Sequence, residues 1–160
     1  YELMRLFQSH WDPGAEFYRW VLPDGHVARV PVMGVVQKKI EVAEFHKATF
    51  QYRTSIVQAK EKGRSLAANI THSVDAWVLR EMLRRAEAQG FELAVIHDCF
   101  FSHPNYLGKV RQNYRDIMAE LADMDLVNNI LGQLTGQDPG YNKKSQDLSK
   151  HIVQSEYALS

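Results

Sequence analysis

The stretch that most constrains this chain is a long helical pattern that stops at a glycine and passes directly into a short apolar run. Ser65 to Gln89 reads as helix, and Gly90 supplies its C-terminal stop. Leu93-Ala94-Val95-Ile96 follows, then the polar His97-Asp98-Cys99, then Phe100-Phe101. An apolar run between a glycine and a polar pair suits a strand over Glu92 to His97, buried on both faces. The return of aromatic residues after Cys99 turns that strand back on itself.

The remaining segments fit the same mixture. Residues 1 to 9 read as the end of a helix, which Asp12-Pro13-Gly14 breaks. Phe17 to Leu22 and His26 to Val32 flank Pro23-Asp24-Gly25, a β-hairpin signal. Val35 to Val42 and Thr49 to Val57 continue as strands. After Pro104, the residues Leu107, Val110, Tyr114, Ile117, Met118 and Leu121 recur at helical steps. Shorter helices are expected over Asp125 to Leu134 and Gln146 to Glu156. The expected class is α+β: an antiparallel sheet bears the His97-Asp98 turn, and the Ser65–Gln89 helix packs behind it through Ile70, Val74 and Trp77.

Composition bounds the function. With 160 residues, 45% hydrophobic and 24% charged, the chain is an ordinary globular domain or one lobe of something larger, which excludes a disordered or collagen-like protein. Nineteen basic residues balance nineteen acidic ones, so bulk charge alone does not hold it to nucleic acid. Cys99 is the single cysteine, which excludes an intrachain disulfide and a four-cysteine zinc site and fits a reducing compartment. The longest apolar run, Val30 to Val36, is far short of the ~20 residues of a membrane span, so no membrane partner is expected. The chain opens at Tyr1, within a helical pattern, so further residues upstream are expected.

Three features carry candidate chemistry. On the Ser65–Gln89 helix, Asn69, His72, Ser73, Ala76 and Arg80 share an arc of roughly 100°. A face turned to water usually carries Lys and Glu. Short hydrogen-bonding residues suit close approach to another surface. Asp98, placed directly after an apolar strand, is costly if buried alone; metal ligation or a turn hydrogen bond accounts for it. Lys60, Lys62 and Arg64 form a charged connection, read either as a solvated loop or as phosphate contacts.

Together these features resemble a known family. The motif Asn69-x-x-His72-Ser73-x-Asp75, followed by strand-His97-Asp98-Cys99-Phe100, resembles the C-terminal palm region of the single-subunit DNA-dependent RNA polymerases of phages and mitochondria. Trp20-Val21-Leu22-Pro23-Asp24-Gly25, Phe50 to Val57 and Ser155 to Ser160 extend the resemblance over about residues 11 to 160. The resemblance implies a palm-type antiparallel sheet with packed helices, and DNA-templated RNA synthesis from NTPs by a two-metal mechanism. It implies Asp98 as ligand of the catalytic Mg2+, with His97 beside it at the RNA 3′ end. It implies Asn69, His72 and Ser73 against the template–product duplex, with Lys60, Lys62 and Arg64 as phosphate contacts. Cys99 stands where the family usually has Ser, Phe101 where it often has Gly, and Val78 where it has a second His. A second magnesium-binding Asp, a fingers Lys and a ribose-selecting Tyr have no counterpart in the sequence. The implied partners are therefore DNA template, RNA product, NTPs and a remaining polymerase part, upstream or on another polypeptide. The implied location is the cytoplasm of a phage-infected bacterium, with the mitochondrial matrix as alternative.

Two other readings compete. A metal-dependent phosphohydrolase could string together His72, His97, Asp98 and Asp123, but such enzymes place the His-Asp pair on a helix, and Leu93–Ile96 reads as strand. A non-catalytic interaction domain would leave His72 and Asp98 as satisfied polar groups, without accounting for two motifs at this spacing.

Overall fold

The structure is a computed structural model, and it describes residues 2–10, 12, 15–31, 33–42, 48–57, 64–137 and 139–155. The class is α+β. The chain falls into two compact units, residues 1–20 with 27–70 and residues 21–26 with 71–160.

The first unit opens on helix α1, Glu2–Ser9, which buries Phe7. Strands β1 (Phe17–Val21) and β2 (Val27–Pro31) form a two-stranded sheet. Along β1 burial alternates, with Tyr18 and Trp20 inside and Phe17, Arg19 and Val21 outside, the period of two that a pleated strand imposes. Burial, more than the hydrogen bond with the Asp12 backbone, sets the Tyr18 phenol, whose pKa lies above its usual value. Strands β3 (Met33–Val42) and β4 (Ala48–Val57) pair antiparallel from Met33↔Val57 to Val42↔Ala48. Residues 37–41 and 49–52 are exposed on both faces of this hairpin.

Helix α2, Arg64–Ala88, runs through the expected range. Leu66, Ala67 and Ile70 are buried in its first turns, and Trp77, Val78, Met82 and Ala86 further on. The face chosen as apolar is thus the buried one, with Val74 half-buried. The helix ends in a Schellman motif: Phe91 N–H donates to the Ala86 carbonyl (3.1 Å) and Gly90 N–H to that of Glu87 (3.0 Å). Gly90 takes the left-handed conformation this requires (φ 73°).

In the second unit, strands β5 (Ala94–Ile96) and β6 (Cys99–Phe101) pair antiparallel, with Ile96 opposite Cys99. A 3₁₀ turn at Pro104–Tyr106 leads into α3, Leu107–Asp123, which buries Val110, Ile117 and Ala119. Then come α4 (Leu126–Thr135), which ends at Gly136, and α5 (Leu148–Gln154). Arg85 ties α2 to α3, donating to Glu120 Oε2 (2.5 Å) and to Glu81 Oε1 (3.1 Å) on its own helix. Hydrogen bonds from Arg84, then Arg85, hold the Glu81 carboxyl down at about 2 despite its partial burial.

Two expectations are corrected. Among the described residues the strands make three separate two-stranded sheets instead of one. The Glu92–His97 strand is also shorter than expected and is not buried on both faces: Ala94 is exposed, Val95 half-buried and Ile96 61% exposed. The physical reason is that the hairpin packs on one face only: Val95 and Phe100 are half-buried, with Phe100 against Tyr114 of α3, while Ala94, Ile96, Cys99 and Phe101 on the other face stay exposed.

Candidate active site

His97 and Asp98 are the two central residues of the β5–β6 turn. His97 has φ 56°, the single positive φ outside glycine among the described residues. Two-residue hairpin loops favour positive φ at the first central position because that twist matches the flanking strands. Histidine enters this region more readily than most residues with a Cβ, at a cost of order 1–3 kcal/mol that the surroundings must sustain. The strain holds a His-Asp pair at the tip, where both side chains are exposed.

The hairpin is anchored at its base. Ser102 Oγ–H donates to the Glu92 carbonyl (2.7 Å). Phe91, buried behind the helix stop, stacks on Tyr106 with ring centroids 5.2 Å apart. Nearer the tip, Phe100 meets Tyr114 of α3 at 6.1 Å, with the planes 59° apart.

A cavity of about 420 Å³ lies against the turn. His97, Asp98, Asp75 and Tyr114 line it, with apolar walls that include Phe100 and Met118. It holds carboxylates and a phenol, and among the described residues no lysine or arginine lines it. Asp98 Oδ1 accepts a weak 3.7 Å contact from Cys99 Sγ and joins no ion pair among the described residues. It is thus an exposed, hard oxygen donor of the kind Mg2+ takes. It does not complete a metal site, since no group of three His, Cys, Asp or Glu among the described residues is placed to hold an ion.

The other expected residues scatter. His72 is exposed on α2 and Ser73 half-buried, and neither lines the cavity at the turn. Asn69 lies in the first unit and donates to the Ser65 carbonyl of its own helix (2.8 Å). Arg80, on the same arc in the sequence, is engaged elsewhere: its Nε–H donates to Asp24 Oδ2 at 2.6 Å. That bond holds the Asp24 carboxyl below its ordinary value. Lys60 and Lys62 lie outside the described residues, and Arg64 opens α2. Asp75 and Tyr114, which line the cavity, were given no role from sequence. Asp75 was visible inside the motif at His72, whereas Tyr114 read as one more apolar position of a helix.

The family model of DNA-dependent RNA polymerase matches residues 20–159, and the chain belongs to that family. The match accords with the single-subunit phage and mitochondrial type that the two motifs resemble. No curated protein matches the chain. No helix among the described residues is long and apolar enough to cross a membrane.

Proposed function

We propose that this chain supplies the C-terminal palm part of a single-subunit RNA polymerase, with Asp98 as a ligand of the catalytic Mg2+. The observation that carries the reading is the exposed His97-Asp98 pair at the tip of a strained two-residue hairpin, inside a chain of this polymerase family. When bound, magnesium neutralises charge at the attacking 3′-oxygen and the leaving pyrophosphate. Asp98 contributes one carboxylate, and its placement at the tip leaves it open to phosphate and water ligands. His97, next to it, would contact the RNA 3′ end. His72 and Ser73, with Asn69, would meet the minor-groove side of the RNA–DNA hybrid, where 2′-hydroxyls are exposed. Lys60, Lys62 and Arg64 would contact phosphates.

The remaining ligands and the fingers would come from the rest of the polymerase, since a two-metal site needs shared ligands and no group of three His, Cys, Asp or Glu among the described residues is placed to hold an ion. Exposed Lys38, Phe50 and Tyr52, on one face of the β3–β4 hairpin, favour the same partner class, because a cation beside π-faces suits nucleic acid. The location proposed is the cytoplasm of a phage-infected bacterium, with the mitochondrial matrix as alternative.

The test is single-nucleotide extension of a preformed hybrid by the complete polymerase. Asp98→Asn keeps size and hydrogen bonding but removes the charge. It should lower kcat by ~10³-fold or more, equivalent to about 4 kcal/mol, with promoter binding nearly unchanged. His72→Ala should instead raise abortive release and the nucleotide KM. Cys99→Ser should be nearly neutral. Extension by Asp98→Asn within about tenfold of wild type would remove Asp98 from the metal site and overturn the reading of this turn.

A further inference from the structure

The β5–β6 hairpin has three residues in each strand, and an isolated two-stranded hairpin is at best marginally stable. The direction of its tip is therefore set by what the hairpin packs against. Ser102–Glu92 and Phe91–Tyr106 fix the base. Val95 and Phe100, opposite each other in register, are half-buried, while Ala94, Ile96, Cys99 and Phe101 are exposed. The inward pair can transmit a position from the helices to the tip. Phe100 lies two residues after Asp98, and its ring meets that of Tyr114 in a tilted arrangement. Such pairs prefer a defined geometry over a simple hydrophobic contact.

We propose that Tyr114 is a positioning residue for nucleotidyl transfer, its ring acting through Phe100 to set the direction of the Asp98 carboxylate. The inference rests on the polymerase reading of the turn. Phe100, Tyr114, His97 and Asp98 all border the same cavity. Space next to the rings means that removing one leaves Phe100 free to swing into it, carrying the turn along. The Tyr114 hydroxyl makes no hydrogen bond among the described residues, so the ring and not the oxygen carries the role.

The experiment is a Mg2+ titration of single-nucleotide extension by the complete polymerase, comparing wild type, Tyr114→Phe, Tyr114→Ala, Tyr114→Leu and Asp98→Asn. Small misplacements of catalytic groups are costly, so Tyr114→Ala should lower kcat by about tenfold. The Mg2+ concentration for half-maximal rate should rise about threefold or more, because a misdirected carboxylate holds the ion less well. Tyr114→Phe should match wild type in both. Tyr114→Leu keeps an apolar side chain of useful size and should show the same Mg2+ shift where the alanine variant does not fold.

A lower kcat at unchanged Mg2+ dependence in both the Ala and Leu variants would mean a smaller folded fraction only, and would overturn the proposal. So would a Phe variant as impaired as the Ala variant. If Asp98→Asn remains active, the reading of the turn itself fails. If Asp98→Asn is inactive and the Mg2+ dependence of the Tyr114 variants does not move, the role of Tyr114 alone fails.

Discussion

The β3–β4 and β5–β6 hairpins are built on opposite terms. β3–β4 has ten residues in each strand and a continuous register, and its described side chains at 37–41 and 49–52 are exposed on both faces. Phe50 is 58% exposed and Ile40 opposite it 49%. Over those residues it rests on its ladder. β5–β6 has three residues in each strand, a histidine at positive φ, and aromatic contacts to the 3₁₀ turn and to α3 through Phe91 and Phe100. Its form comes from its surroundings. A long ladder tolerates the loss of a side chain, because no single one holds the register. A short strained turn does not, and that dependence gives a fixed direction to the two residues at its tip.

The largest effect expected on folding tests the surroundings of the short hairpin. Trp77 on α2 is 3% exposed, within the same compact unit as β5–β6. Trp77→Ala should cost ~3–5 kcal/mol in chemical denaturation, the range for removing a buried aromatic. A loss below about 1 kcal/mol, the level of an ordinary surface change, would mean that this helix face does not carry the unit, and the contrast between the hairpins would lose its basis.

Much of this arrangement was legible in the residues. α2 and its stop were readable because Gly90 sits where a left-handed residue must close the helix, and Phe91 follows as the apolar residue such a cap buries. The His97-Asp98 turn was readable as the point of return, since apolar residues flank it on both sides. The exposure of Ile96 and Phe101 was not, because a run of apolar residues has the same pattern whether or not a second layer covers it. The pairing of Arg80 with Asp24 was also hidden: it joins residues 56 positions apart, and periodicity reports only which face a residue occupies. Tyr114 was placed on the right face of its helix, but its contact with Phe100 depends on how that helix meets the hairpin, which only the packing decides.

A middle-sized effect sharpens the contrast at the strained tip. Left-handed φ costs an L-residue roughly 1–2 kcal/mol, while glycine's extra chain freedom offsets about 0.5–1 kcal/mol of the relief. His97→Gly should therefore leave folding unchanged or raise stability by up to about 1.5 kcal/mol. His97→Val should lower it by about 1–2 kcal/mol, since a β-branched side chain fits that region worst. The readout is the denaturation midpoint at constant slope. A glycine variant less stable than wild type would show that the His97 ring makes a contact worth more than the strain.

The smallest effect is expected on the long hairpin. Phe50 is opposite Ile40 in the ladder, and both are exposed. With more than half of its surface in contact with water in the folded chain, Phe50 gains little from burial, and the cross-strand pair contributes only about 0.2–1 kcal/mol relative to alanine. Phe50→Ala should thus change folding stability by no more than about 0.5–1 kcal/mol, measured by the same denaturation as Trp77→Ala. It should nonetheless weaken binding to single-stranded nucleic acid, if that surface stacks against bases, by an amount on the order of 1–3 kcal/mol per base lost. A folding loss approaching that of Trp77→Ala would show that a layer covers this face of β3–β4, so that both hairpins draw their form from what surrounds them.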